Sequence, residues 1–291
     1  MIPTANSYYS GGGLFDIGLQ EAGVQIRQSF EIEPVCCETQ RLNFSHSVVQ
    51  CDITQKLVKS DLESDIIIAT YPCTKYSTAA DIHGTRTGDE HFLHVFRHIA
   101  IAQPEGFSIE NVPGMRKFPV VMEAMIKLPG YYVTMFCPVK AETWLPQKRN
   151  RLILMGSRKN FLWQPPTSWK TVLLADILEE NPDVSLPEYL YKRLKGSYRD
   201  KPIISDPAKG DIAPTCVAHY AKDQSTRMVV DNRFPHSVRP YSPREYARLQ
   251  GVPDWFRFAG SKADIYRQVG NGVPVPIGRW VGEQWMRYFN N

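Results

Sequence analysis

Residues 9–18 read YSGGGLFDIG, and the interpretation of the three adjacent glycines decides the fold. The segment NSYYSGGG reads as a strand running into a glycine turn. LFDIGLQEAG then places apolar residues at Leu14, Ile17 and Ala22, close to the helical period, with Gly23 as a stop. Glycine between a strand and a helix lets a ligand approach the backbone closely, and a helix N-terminus favours electron-rich groups. The spacing is not GxGxxG, because the sixth position counted from Gly11 is Asp16. That disfavours a pyrophosphate-binding dinucleotide site and a nicotinamide-dependent oxidoreductase. Read alone, the glycines also fit a plain tight turn.

Outward from this turn, strand-like and helix-like segments alternate to about residue 160. VQIRQSFEIE reads as strand and VCCETQRLNF as helix. SDIIIATYP is a buried strand ended by Pro72, HFLHVFRHIAIA is helix, and GFSIENVPG and RLILMGSR are strands. This alternation predicts an α/β domain with a doubly wound, mainly parallel sheet. Residues 161–235 are rich in proline and polar residues and predict a small irregular second region, with one helix around PEYLYKRLKG. Residues 236–291 regain helix patterning, carry a Gly-Asn-Gly turn, and are expected to return to the first domain, 1–160.

The 291 residues are 43% hydrophobic, 11% aromatic and 22% charged, which suits a folded chain with a sizeable core and excludes global disorder. No apolar run has the length of a membrane-spanning helix, and the N-terminus lacks the pattern of a signal peptide. The six cysteines show neither CxxC pairs nor zinc-site spacing, so free thiols in a reduced cytoplasm and no metal are expected. A net charge of +4 is compatible with a polyanionic partner without requiring one.

Four groups of residues carry possible chemistry. Glu31 lies 20 residues beyond Gly11, and Asp52 closes VVQCD. An acid after the second strand is placed to accept hydrogen bonds from ribose hydroxyls. Cys73 follows a buried strand, where α/β sheets bind ligands; alone it reads first as a small core residue and only second as a nucleophile that needs activation. Glu110 ends an apolar strand, and if that strand neighbours the Cys73 strand the two face one crevice. A partly buried carboxylic acid there can donate a proton. Arg149 and Arg151 alternate at the start of a strand and can grip carbonyl oxygens or carboxylates.

The order of these features is more informative than any one of them. A glycine turn, Glu31, Asp52, Pro72-Cys73, Glu110-Asn111-Val112, Gln147-x-Arg149-x-Arg151 and Gly270-Asn271-Gly272-Val273 together resemble the cytosine carbon-5 DNA methyltransferase family. REYARLQGVPDWF and YRQVGNGVPVPIG resemble its late motifs. The resemblance runs from Tyr8 to about Trp280, outside the variable region. It departs at Ala69-Thr70-Tyr71, where the family has Gly-Gly or Gly-Pro before Pro-Cys, and at Thr74.

The resemblance implies a Rossmann-like S-adenosylmethionine-dependent methyltransferase domain with a small target-recognition domain. It implies that Tyr9, Gly11 and Gly13 border the methionine part of the cofactor and that Glu31 holds the ribose. Ile32 and Ile53 would flank the adenine, and Asp52 would accept its amine. Pro72 joins this set, and the last motif, with Asn271 and Val273, completes the pocket. Cys73 would attack carbon 6 of a cytosine flipped from duplex DNA, Glu110 would hold ring N3 and the amine, Arg151 the carbonyl oxygen, and Arg149 would support the site. Lys75, Ser77 and Arg86 would contact DNA from the loop after Cys73, and Lys192, Arg193, Lys195 and Arg227 from the small domain. The implied partners are double-stranded DNA and a cognate restriction endonuclease, with the protein acting as a monomer and without a metal. Two alternatives remain open at this point: an RNA (tRNA) cytosine-5 methyltransferase, and a non-catalytic cofactor- or DNA-binding regulator.

Overall fold

The computed structural model describes residues 1–72, 90–170, 172–196 and 203–291. Along the first half of the chain, strands and helices alternate as β1 (Thr4–Tyr8), α1 (Leu14–Glu21), β2 (Gln25–Glu31), α2 (Pro34–Asn43), β3 (Ser47–Gln50), β4 (Ile66–Ala69), α3 (Glu90–Ala102), β5 (Gly106–Asn111), α4 (Pro119–Ile126), β6 (Tyr132–Lys140) and β7 (Asn150–Ser157). The strands form one seven-stranded sheet in the order β3-β2-β1-β4-β5-β7-β6. Pairing is parallel from β3 through β5, and β7 runs antiparallel to β5. Every residue of β4 and β5 is buried, as expected for central strands covered on both faces.

The strand order reverses between β1 and β4. From β1 the chain builds outward to β2 and β3, and then crosses to β4 and β5. Ligands of open α/β sheets bind at such a switch point, outside the carboxyl ends of the strands. The residues leaving β1, β2, β4 and β5 therefore share one edge of the sheet: Tyr9 to Gly13, Glu31 to Glu33, Thr70 to Pro72, and Glu110 with Asn111.

The remaining elements are α5 (Leu174–Ile177), α6 (Tyr189–Lys195), β8 (Ile203–Ser205), β9 (Arg227–Val230), β10 (Val238–Pro240), α7 (Pro243–Arg248), α8 (Lys262–Asn271) and α9 (Val275–Asn290). Two compact units result. The first comprises Met1–Val139, Asn150–Pro166 and Val275–Asn291, and the second Lys140–Arg149 and Thr167–Pro274. The second contains a small mixed sheet, β10-β9-β8.

In the first unit α9 lies directly on α1. A Cβ on Gly18 would sit 2.1 Å from the Val275 carbonyl oxygen, and one on Gly278 2.3 Å from that of Phe15, so the backbones touch where only glycine fits. The fully buried Trp285 of α9 donates its indole N–H to Ser108 Oγ at 2.8 Å.

The second unit is larger than the region 161–235 expected for it. It takes in Lys140–Arg149 and runs on to Pro274, and only Val275–Asn291 returns to the first unit. Polar bonds hold residues 236–274 there. Arg239, fully buried, reaches Asp231 at 2.7 Å and both carboxylate oxygens of Glu245 at 2.7 Å. Gln147 donates to the Leu249 carbonyl, and Gln250 to that of Val269, each at 2.7 Å. Among the described residues no helix is long and apolar enough to cross a membrane.

Candidate active site

The cofactor side of the first unit begins where β1 ends. Tyr9, Gly11 and Gly13 have φ of 58°, 55° and 83°, all in the left-handed region that favours glycine. A Cβ on Gly11 would meet nothing within 4 Å, so the turn is open on that side, whereas one on Gly13 would strike the Phe44 ring at 2.5 Å. Glu31, buried at the end of β2, braces the turn. Its Oε2 accepts the Gly11 N–H at 2.8 Å, and its Oε1 accepts those of Ile32 and Glu33 at 2.9 Å. A carboxylate oxygen can accept two bonds, so Oε2 retains capacity for a hydroxyl donor.

Asp52 follows β3 and is half-exposed. Hydrogen bonds from Thr54, one of them from its N–H at 2.9 Å, hold the carboxyl below the usual carboxylate range, with a smaller contribution from His91 and His94. Ile32 is 54% exposed beside Glu31, while Ile53 is buried beside Asp52. These residues fit a nucleoside: an acid at the ribose position, an accessible second acid, and apolar side chains flanking them.

The second group centres on β5 and β7. Glu110 lies opposite Ile153 in the antiparallel register, so Arg151 is its diagonal neighbour on the same face. Both are buried, and Arg151 Nε lies 2.6 Å from Glu110 Oε1. Asn111 donates to the Tyr71 carbonyl at 3.3 Å and accepts the Val112 N–H at 2.8 Å, fastening the end of β5 to the residue before Pro72. Tyr71, where the sequence departs from the family pattern, is buried with its hydroxyl 3.4 Å from Met115 Sδ. Pro72 is exposed. Cys73, Lys75, Ser77 and Arg86 lie outside the described residues.

Arg149, two residues before Arg151, takes different partners from it. It precedes β7, belongs to the second unit, and is buried. Its guanidinium donates to the carbonyls of Cys216 at 2.7 Å, Gly270 at 2.9 Å and Gly272 at 2.8 Å. Gln147 accepts the Cys216 N–H at 2.9 Å, and Gln250 also reaches Gly272 O at 3.1 Å. Arg149 thus holds the backbone of the Gly-Asn-Gly turn. Within that turn Asn271 is exposed at the end of α8, and Val273 is buried. Burial also pushes the Cys216 thiol up to about 12, which marks it as a core group.

The basic residues of the second unit divide in two. Lys192 and Lys195 are exposed on α6, with Lys192 3.1 Å from Glu188. Arg193 is ion-paired with Asp223 and donates to Ser225 Oγ at 2.8 Å. Arg227 donates to the Thr215 carbonyl at 2.9 Å and to Thr226 Oγ1 at 3.2 Å. These two guanidinium groups therefore shape the unit as well as charging it. An open cleft at Arg193 is lined also by Tyr189, Lys192, Lys222, Asp223 and Ser225. The sequence reading gave His91, which contacts Tyr9, no place beside the cofactor residues, because a contact between residues 82 positions apart leaves no local signal.

A parallel sheet with an antiparallel β7, an acid at the end of β2 and a buried Glu–Arg pair at the carboxyl end of β5 define an α/β enzyme. The family model for C-5 cytosine-specific DNA methylases matches residues 5–287, and the chain belongs to that family. It is a DNA (cytosine-5)-methyltransferase. The type II methyltransferase M.NlaX of Neisseria lactamica is 30% identical over 95% of this chain and 94% of its own. Among solved structures, the Entamoeba histolytica methyltransferase EhMeth superposes with a TM-score of 0.83 at 16% identity, covering 100% of both chains. The Dnmt2 methyltransferase of S. pombe follows with 0.80 at 18% identity, over 99% of this chain and 100% of its own. No cluster of three or more His, Cys, Asp or Glu among the described residues is arranged to hold a metal.

Proposed function

We propose that the enzyme methylates carbon 5 of a cytosine flipped out of duplex DNA, with S-adenosylmethionine as methyl donor and Cys73 as nucleophile. The buried Glu110–Arg151 pair carries this reading. Carbon 5 of cytosine is too weak a nucleophile to take a methyl group directly. Addition of the Cys73 thiolate to carbon 6 breaks the aromaticity and makes carbon 5 an enamine carbon. Glu110 bonds N3 and the exocyclic amine and supplies the N3 proton as the thiolate adds, while Arg151 holds both the carboxyl and the carbonyl oxygen on carbon 2. After methylation a base removes the carbon-5 proton and the thiolate leaves, restoring the ring.

The bound cofactor supplies a methyl group on a positively charged sulfur. Tyr9, Gly11, Gly13 and Pro72 border its methionine part, and Glu31 takes the ribose hydroxyls. Asp52 accepts the adenine amine between Ile32 and Ile53. The open side of the turn at Gly11 and the remaining acceptor capacity of Glu31 Oε2 support this assignment.

Lys192 and Lys195 serve as phosphate contacts on DNA, joined by Lys75, Ser77 and Arg86, while Arg193 and Arg227 hold the recognition surface in shape. The enzyme acts as a monomer, and the name of M.NlaX supports pairing with a restriction endonuclease. Incubation with S-adenosylmethionine and unmethylated genomic DNA, followed by mapping of 5-methylcytosine, tests the reading. Methylation in a recurring context is expected, abolished in Cys73→Ala. Methylation that persists in Cys73→Ala would overturn the assigned nucleophile.

A further inference from the structure

We infer that His91, at the start of α3, is a positioning residue for the cofactor pocket, acting through the side chain of Tyr9. The inference rests on the pocket assigned above. Tyr9 is the one residue of that pocket whose backbone conformation is unfavourable for its side chain: an aromatic residue at φ 58° persists only where its surroundings hold it. The surroundings do so from three sides. Thr70 Oγ1 donates to the Tyr9 carbonyl at 2.9 Å. The Tyr71 ring meets the Tyr9 ring edge-on at 6.4 Å. His91 provides the third contact, with rings crossed at 83° and 5.3 Å between centroids, and Nδ1 3.2 Å from the Tyr9 hydroxyl.

The same face of α3 continues along the pocket. His91, His94 and Arg97 recur every three residues, a helical face. Arg97 donates to the carbonyls of Ile53 and Lys56, each at 3.0 Å, which fixes the backbone on the adenine side. One helix thus braces both ends of the pocket, Arg97 through the backbone at Ile53 and His91 through the ring of Tyr9. A ring held by a hydrogen bond at its tip and an edge contact on its flank does not have to be ordered when the ligand arrives, so the contact contributes to affinity rather than to the chemical step.

The test measures dissociation constants for S-adenosylmethionine by calorimetry on the full-length protein without DNA, and kcat with cofactor saturating. His91→Ala is expected to weaken binding about tenfold, with kcat changed less than twofold, and His91→Asn to recover most of the loss by offering a polar group to the Tyr9 hydroxyl. Tyr9→Phe is expected to weaken binding when His91 is present and to have no further effect in His91→Ala. Native affinity in His91→Ala, or an equal effect of Tyr9→Phe in both backgrounds, would overturn the inference while leaving the pocket assignment standing. A wild-type protein that does not bind S-adenosylmethionine would overturn both. If His91→Ala does not fold, the same cycle run with His91→Asn and Tyr9→Phe decides: equal affinities in all four proteins would dismiss the positioning role.

Discussion

Glu110 Oε1 and Arg151 Nε lie 2.6 Å apart on the neighbouring antiparallel strands β5 and β7, buried at the carboxyl end of β5. The diagonal register brings them together, and burial makes the pair sensitive to the loss of either member. An uncompensated buried charge costs about 3–5 kcal/mol.

Glu110→Gln keeps the shape of the side chain and removes its acidity. Methyl transfer in a single turnover should slow by about 10²–10⁴-fold. Cofactor affinity should stay within twofold, and thermal melting should show a less stable protein. An unaltered rate would contradict the role of Glu110 as proton donor.

Asp16 gives a pH dependence that is independent of catalysis. It is fully buried in the first turn of α1, accepts a hydrogen bond from Ser7 Oγ at 2.8 Å, and burial pushes its pKa up to about 7. The native state keeps this proton over a range in which the unfolded chain has lost it. The contribution of Asp16 to stability therefore falls as pH rises from about 4 to about 7 and stays low above that. Asp16→Asn should be more stable than wild type at pH 8, by at most about 4 kcal/mol, and the advantage should shrink toward pH 4. Denaturant unfolding at both ends of the range measures it; an advantage that grows on acidification would refute the assignment.

Arg149→Lys preserves the charge and loses the fork that spans three carbonyls. Buried carbonyls left without a partner cost about 1–3 kcal/mol each, so the variant should be clearly destabilised. Hydrogen exchange should accelerate in residues 269–273 before it does in β1 or β5. Uniform acceleration across the chain would argue against a local clamp.

Gly18→Ala introduces a methyl group where the Val275 carbonyl oxygen is 2.1 Å away. The two backbones must separate, at a cost of about 1–3 kcal/mol or more. Gly278→Ala acts on the same contact from the other helix, so the double variant should lose less than the sum of the two single losses. Full additivity in chemical unfolding would mean that the two glycines serve separate contacts.

Much of the first unit was legible in the sequence because its signals are local. A glycine turn between apolar strand and amphipathic helix, a buried run such as Ile66-Ile67-Ile68-Ala69, and an acid at a strand end each follow from neighbouring residues. Helix α9 was equally visible as a helix. The assignment of residues 236–274 was not, because periodicity reports that a helix has a buried face but not which unit covers it. The bond that decides it, Gln147 to Leu249, joins residues 102 positions apart.

By itself the sequence determined the α/β class, the order of the chemical groups and the family they resemble, since motif spacing and composition are properties of the chain alone. Only the tertiary structure separated Arg151, paired with Glu110 in the first unit, from Arg149, bonded to three carbonyls of its own second unit. Two arginines two residues apart look alike in sequence, yet the boundary between compact units falls between Arg149 and Asn150. The same holds for His91 beside Tyr9, 82 positions away in the chain. Such pairings depend on which strands and helices become neighbours, and long-range packing alone settles that.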